Sequence, residues 1–320
     1  MRPDKIELAR VPTPLEPLPR LQERWGGPNL WVKRDDLTGF ELSGNKVRKL
    51  EYHLAAAKAD GADWVITAGA VQSNHCRATA LACARIGLGC TLLIRTEDGR
   101  APDRIDANHA AHVLSGAEIV YVDRAGWAAR DETMAALAAE LAGDGHRSWI
   151  IPAGASDSLG MLGMADAMLE LGTQLFEAGI EDPVIWHASS SAGTTAGFGW
   201  GLHEAGLRAD LIAVSVGEPP EEIAGYVEAM WRGAAKRFGG EVPDIDIEYR
   251  GDFIGAGYGL IDPEQPGVEA EATALTGLLF DPTYTGKALF GLRQEIATGR
   301  WSGDDHVIFW HTGGGFAALR

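Results

Sequence analysis

An α/β fold of two lobes, each a mainly parallel twisted sheet flanked by helices, is predicted by two features. Short β-rich runs alternate with alanine-rich helical stretches, and polar turns rich in glycine and serine fall where several of those runs end. At 320 residues the chain exceeds an average single core and is long enough to enclose a dry site.

The alternation opens with WVITAG (64–69), NHCRATALACARIG (74–87), CTLLIR (90–95), DANHAAHVLSG (106–116) and EIVYV (118–122), a βαβαβ rhythm. Parallel strands need helical crossovers, and ligands of such sheets bind beyond the carboxyl ends of the strands. A second series runs through MADAMLELGTQLFEAG (164–179), PVIWHAS (183–189), AGFGWGLHEAG (196–206) and DLIAVSVG (210–217), and HVIFWHT (306–312) is the last strand candidate. No repeat or low-complexity tract interrupts the pattern.

An apolar fraction of 46% with 41 glycines and 15 prolines suits a glycine-rich α/β enzyme rather than a disordered chain. The formal charge of −17 repels phosphate backbones and anionic membranes, so nucleic acid and membrane partners are not expected. Cys76, Cys83 and Cys90 form no CxxC pair and read as buried small apolar residues. With no bilayer-length apolar window and no apolar signal core in MRPDKIELAR, the expected location is the cytoplasm. The histidines form no metal-ligand set, and His109 and His112, three apart on a helix, read as a solvated face.

Three segments carry chemistry. In ELSGNKVRKLEY (41–52), Lys46 follows Ser43, Gly44 and Asn45 at the start of a helical pattern; it is one of only seven lysines, but position alone does not separate it from a solvated surface charge. In ITAGAVQSNHCRATALACARIG (66–87) a strand ends in Gln72, Ser73 and Asn74, and the helix start offers amides that suit a carboxylate, although an ordinary cap by Ser73 or Asn74 accounts for it equally well. HASSSAGTTAGFGWG (187–201) has the design of a phosphate cup, small residues and hydroxyls leading into a helix, without the GK[ST] of a nucleotide loop or a GxGxxG fingerprint. Near the end, GAGYG, DPTYTGKALFGL and HTGGG set Tyr258 and Tyr284 in polar loops, where structural and acid–base roles are equally compatible with each motif alone.

Taken together, KRDDLTGFELSGNKVRKLEY, GAVQSNHCRATALA, PAGASDSLG, AGTTAG, GAGYG, DPTYTGKA and HTGG resemble the D-cysteine desulfhydrase and 1-aminocyclopropane-1-carboxylate deaminase family of pyridoxal phosphate enzymes, in order from about residue 10 to the C-terminus. The resemblance implies the fold type II, tryptophan synthase β-like architecture. Residues 1–47 and 160–320 would form the larger, cofactor-binding domain and residues 48–159 a smaller inserted α/β domain. It also implies pyridoxal 5'-phosphate as cofactor, a small amino acid as substrate and a homodimer. Lys46 matches the lysine that holds the cofactor, with Asn45 beside it. Ser190, Ser191, Ala192, Gly193 and Thr194 fall in the phosphate loop, Asn74 at the cofactor hydroxyl, and Thr312 with Thr285 near the ring nitrogen. The Ser73 to His75 turn meets the substrate carboxylate. Tyr258 and Tyr284 match active-site tyrosines, and Lys46 and Ser73 are the candidate bases.

Within the family, deaminases that open a cyclopropane have a glutamate where this chain has Thr285 in YTGK, so the resemblance favours α,β-elimination, with D-cysteine as substrate and pyruvate, ammonia and sulfide as products. Two departures from the family pattern leave other leaving groups open, among them D-serine, L-cysteate and 3-chloro-D-alanine: the phosphate loop reads SSAGT, with Ser190 and Ala192 in place of glycines, and PAGAS carries Ala155. The intact Lys46, Ser73, Tyr258 and Tyr284 argue against a non-catalytic binding protein, and the missing glycine fingerprint argues against a nucleotide-dependent oxidoreductase.

Overall fold

A computed structural model describes residues 2–318. Ten strands are formed: β1 (Leu15–Pro17), β2 (Asn29–Lys33), β3 (Trp64–Ala70), β4 (Gly89–Arg95), β5 (Glu118–Val122), β6 (Ser148–Ile150), β7 (Val184–Ser189), β8 (Asp210–Ser215), β9 (Ile247–Arg250) and β10 (His306–Trp310). They build two sheets. One has six strands in the order β1-β2-β10-β7-β8-β9, parallel except for the antiparallel β1–β2 edge; the other has four, β5-β4-β3-β6, all parallel. The predicted α/β architecture with two mainly parallel sheets is the one observed.

Central strands read as near-continuous apolar runs because both faces are covered, and alternate residues enter different cores. In the larger sheet Ile185, Ile308, Trp310 and Leu211 face one cluster, while Val184, Trp186, Val307, Phe309 and Ile212 face the other. In the smaller sheet Val65, Leu92 and Ile94 oppose Ile66, Ala68 and Leu93. Ile6, Leu8 and Ala9 also pack on the smaller sheet's core, so the first residues lie against it.

The helix Lys46–Ala59 packs against helix Met161–Ala178, and that helix packs in turn on helix Gly193–Ala205. Glycines set these approaches. A Cβ at Gly163 would lie 2.1 Å from the Arg48 carbonyl oxygen, and one at Gly197 would lie 2.3 Å from that of Met161. Cys76, Cys83 and Cys90 are buried free thiols, as expected. His109 and His112 do not form a solvated face: both are buried, their rings 5.9 Å apart, because helix Ala107–Leu114 lies against helix Asn74–Ile86 with that side inward. Burial brings the His112 imidazole down to about 4.

Gly197→Ala is expected to destabilise the fold by about 1–3 kcal/mol through overpacking. Gly267→Ala, where a Cβ meets open space within helix Gln265–Thr276, is expected to be neutral or slightly stabilising. Urea denaturation midpoints of the two variants check the pair.

Candidate active site

The carboxyl ends of β2, β3, β7, β9 and β10 run into segments that carry predicted site residues, and several of those segments touch one another. The contacts start at Gly44, whose φ of 102° and closeness to Thr312 require glycine: a Cβ there would be 2.8 Å from the Thr312 carbonyl oxygen. The same oxygen accepts from the Asn45 amide at 3.0 Å, so the turn before Lys46 is pinned to the end of β10. The Thr312 hydroxyl itself makes no hydrogen bond among the described residues.

Lys46 opens its helix, and removal from water lowers its ammonium to about 8, with the contact to Lys49 acting the other way. One turn on, Lys49 is fully buried and without a carboxylate partner; burial first, then the charge of Lys46, hold it well below its ordinary value. Its Nζ lies 3.3 Å from Ser156 Oγ and 3.5 Å from the Gly154 carbonyl oxygen. Ser156 Oγ is 2.7 Å from Ser191 Oγ, in the loop after β7. A Cβ at Gly193 would stand 2.8 Å from Lys49 Nζ and 2.6 Å from Ser156 Oγ, so this space exists only because residue 193 is glycine. Asn45 Nδ2 donates to Thr194 Oγ1 at 2.8 Å, joining the Lys46 turn to the same loop, and Ser190 Oγ donates to Glu218 at 2.8 Å.

A buried amine with no acid, which a bound phosphate would charge, two serine hydroxyls and the opening turn of helix Gly193–Ala205 make a cup suited to a phosphate. Next to it stands an amine that deprotonates near neutrality, the nucleophile an aldehyde requires. These residues fit pyridoxal phosphate. Lys49 was not identified from the sequence. It sits three residues after Lys46 in KVRK, on the same helix face, and that spacing was the available signal.

Both alanines that stand in place of glycines are left-handed, Ala192 with φ 62° and Ala155 with φ 48°. The extra Cβ therefore does not redirect the backbone; the chain accepts a strain of about 1 kcal/mol or more at each position.

Ser73 caps helix Asn74–Ile86, accepting from the Cys76 amide at 3.1 Å. Asn74 Oδ1 accepts from Asn108 Nδ2 at 3.0 Å and from Arg77 at 3.4 Å, which leaves the Asn74 amide nitrogen free to donate. The His75 side chain is buried and turned to Thr67 Oγ1 at 2.7 Å. Thr67 donates its own hydrogen to the Ile151 carbonyl, so His75 donates from Nε2 and its buried Nδ1 stays bare. Burial and the charges of Lys46 and Lys49 hold the ring neutral. What His75 offers a ligand is its backbone amide.

Tyr258 and Tyr284 meet, Oη to Oη, at 2.6 Å, and burial raises both phenols. Lys287 fastens the Tyr258 loop, donating to the carbonyls of Val216 at 3.2 Å, Ile254 at 2.6 Å and Gly257 at 2.7 Å. Asp281 fixes the other tyrosine by accepting from the amides of Thr283, Tyr284 and Thr285. Thr285 is fully buried and its hydroxyl donates to the Asp281 carboxylate at 2.9 Å, so that hydrogen is committed to the helix start rather than to a ring nitrogen. Among the described residues no cluster of ligating side chains suits a metal ion, and no helix is long and apolar enough to cross a membrane.

Reaction of the apoprotein with pyridoxal phosphate, followed by the visible absorbance of the bound form, is expected to quicken about tenfold per pH unit below about 8 and then level off, since only the neutral Lys46 amine attacks. A rate independent of pH below that point would contradict the assignment.

A family model described as pyridoxal-phosphate dependent enzyme matches residues 6–313. A D-cysteine desulfhydrase of Salmonella newport is 37% identical over 315 residues, covering 97% of this chain and 94% of the relative. The crystal structure of an ACC deaminase homologue superposes with a TM-score of 0.88 at 32% identity, covering 97% of this chain and 92% of its own. An O-ureido-L-serine synthase shares the fold alone, at 17% identity and a TM-score of 0.66 over 96% of this chain and 90% of its own. The chain belongs to the family of pyridoxal-phosphate dependent enzymes, with relatives among the D-cysteine desulfhydrases and an ACC deaminase homologue among the structures it resembles.

Proposed function

We propose that this enzyme carries out α,β-elimination on D-cysteine, converting it with one water to pyruvate, ammonium and hydrogen sulfide. The observation that carries the reading is the pairing of a Lys46 amine that deprotonates near neutrality with the Lys49, Ser156, Ser191 and Gly193 cup beside it. The relative named D-cysteine desulfhydrase and the Thr285 position in YTGK supply the substrate.

The cofactor, when bound, supplies an electron sink that acidifies the substrate α-carbon. Lys46 holds it and is the candidate to take the α-proton at Nζ. The electron pair left by that proton forms the second bond between the α- and β-carbons, and the β-carbon to sulfur bond breaks with its electron pair leaving on sulfur. Ser73, placed at a helix start by its cap, and the backbone amides of Asn74 and His75 orient the substrate carboxylate. The free amide nitrogen of Asn74 would donate to the cofactor hydroxyl. The Tyr258–Tyr284 pair, whose phenols are raised above their ordinary value, donates a proton to the departing sulfur. Lys49, Ser191 and the amides from Ala192 to Thr194 would hold the phosphate, and the Thr312 hydroxyl would serve the ring nitrogen. Residues 48–159 act as the smaller domain and residues 1–47 with 160–320 as the larger, in a cytoplasmic homodimer, as the family resemblance implies.

Purified protein is expected to show the absorbance of a lysine-bound cofactor and to release pyruvate and sulfide from D-cysteine. Lys46→Ala is expected to lose both. Turnover of 1-aminocyclopropane-1-carboxylate instead, without sulfide, would replace this reading by ring opening. Lys49→Met is expected to weaken cofactor binding by about 2 kcal/mol or more, through loss of a charge-assisted contact to phosphate. Equilibrium dialysis of the cofactor measures that loss, and unchanged retention would remove Lys49 from the cup.

A further inference from the structure

Arg95 ends β4 at the carboxyl edge of the smaller sheet and is half-buried. Its guanidinium carbon lies 5.3 Å from the centroid of the Trp127 ring and 6.0 Å from that of Tyr258. Trp127 belongs to the short helix Arg124–Ala128 beside the smaller sheet, whereas Tyr258 belongs to the loop after β9 of the larger one, so this cation bridges the two. Arg130 lies over the same Trp127 ring at 5.1 Å. Among the described residues Arg95 has no ion pair and no side-chain hydrogen bond. The carboxylate nearest Arg130, Asp131, is largely exposed and stands 3.9 Å away.

Two guanidiniums thus lie against one indole, Arg95 with no acid partner and Arg130 with the exposed Asp131 at 3.9 Å and its Nη1 donating to the Trp127 carbonyl at 3.2 Å, in a chain with 45 acidic residues against 28 lysines and arginines. A guanidinium with no acid partner is stabilised by an anion beside it. Stacking on aromatic faces leaves the in-plane N–H edges of a guanidinium available, the geometry that binds a carboxylate or sulfonate through two parallel hydrogen bonds. The ring of Tyr258, whose hydroxyl is paired with Tyr284, places this fork beside the proposed reaction centre.

We propose that Arg95, assisted by Arg130, is a subsite for a second acid group, and that beside D-cysteine the enzyme takes small amino acids whose β-substituent carries a negative charge. The inference rests on the elimination reading above and extends its substrate class.

The test compares two probes that differ in charge and little in shape, S-carboxymethylcysteine and S-carbamoylmethylcysteine, each as both enantiomers, on the cofactor-loaded enzyme. Affinity is read by calorimetry and turnover by pyruvate. The acid is expected to bind about tenfold or more tightly than the amide. That ratio is expected to fall to about one in Arg95→Gln and to recover in part in Arg95→Lys. Because the readout is a ratio, a general loss of folding or cofactor does not mimic it. Equal affinities in the unaltered enzyme, or a preference that survives Arg95→Gln, would overturn the proposal. If neither probe nor 3-chloroalanine yields pyruvate, the elimination reading fails, while the affinity ratio still decides the subsite.

Discussion

The site takes its position from a buried ion network around Arg48. This guanidinium meets Asp35 at 2.9 Å and Glu170 at 3.0 Å, and Glu170 also holds the fully buried Lys33, whose Nζ donates to Gln174 at 2.7 Å. Thr13 closes the set by donating to Asp35 at 2.9 Å. Arg48 and Lys33 hold the Glu170 carboxyl low despite its burial, and the two acids hold Arg48 charged. Such a network adds little net stability against an apolar core, but removing one partner leaves a buried charge unpaired, so it specifies a single arrangement. That arrangement fixes the N-terminal segment, β2 and helix Met161–Ala178 against helix Lys46–Ala59.

Lys46 and Lys49 stand on that same helix, on either side of Arg48 in sequence, and the contrast among the three is instructive. Arg48 turns toward carboxylates; the two lysines turn into a region with little acidic compensation. Asp157, whose charge acts on Lys49, is already engaged by His53 at 3.1 Å and by the amides of Leu159 and Gly160. Folding therefore brings two amines together where neither is neutralised, and the cost falls as a depressed proton affinity. An amine that sheds its proton near neutrality and a second amine poised to be charged by an anion are two results of one packing decision.

Much of this was legible in the chain. EIVYV at 118–122 coincides with β5, and the alternation of β-rich runs with alanine-rich stretches yielded two sheets, because buried parallel strands concentrate branched residues and their crossovers must be helical. Other elements left less trace. β1 and β6 have three residues each, too few for a period to show, and their pairing is decided by partners far along the chain: Leu15 with Lys33, and Trp64 with Ser148. The helix predicted at 196–206 begins at Gly193, because glycine and two threonines carry weak local preference and the start is imposed by Ala192. Of the site, the loop residues were readable as motifs. Lys49, Asp281 and Lys287 were not singled out, since their roles come from burial and from carbonyl or hydroxyl partners up to 107 residues away, as Lys49 and Ser156 show. The buried faces of His109 and His112 were misread for the same reason: three-residue spacing tells which side of a helix they share, not what covers it.

Alanine at positions 155 and 192 shows how the geometry of the cup outranks local preference. Ala155 is fully buried below the smaller sheet, and Ala192 is buried at the start of helix Gly193–Ala205. Were either backbone to relax into the ordinary region, the turn would open. For residue 192 the loss would include the donation from Gly193 to the Ser191 carbonyl at 2.8 Å, and for residue 155 the donation from its own amide to Pro152 at 2.8 Å. Each methyl is instead surrounded by core contacts that glycine would forgo, so burial of apolar surface offsets part of the left-handed strain. The strain thus sits in the two loops whose serines, Ser156 and Ser191, meet at 2.7 Å over Lys49, and the rigidity of that contact is what the surrounding packing maintains.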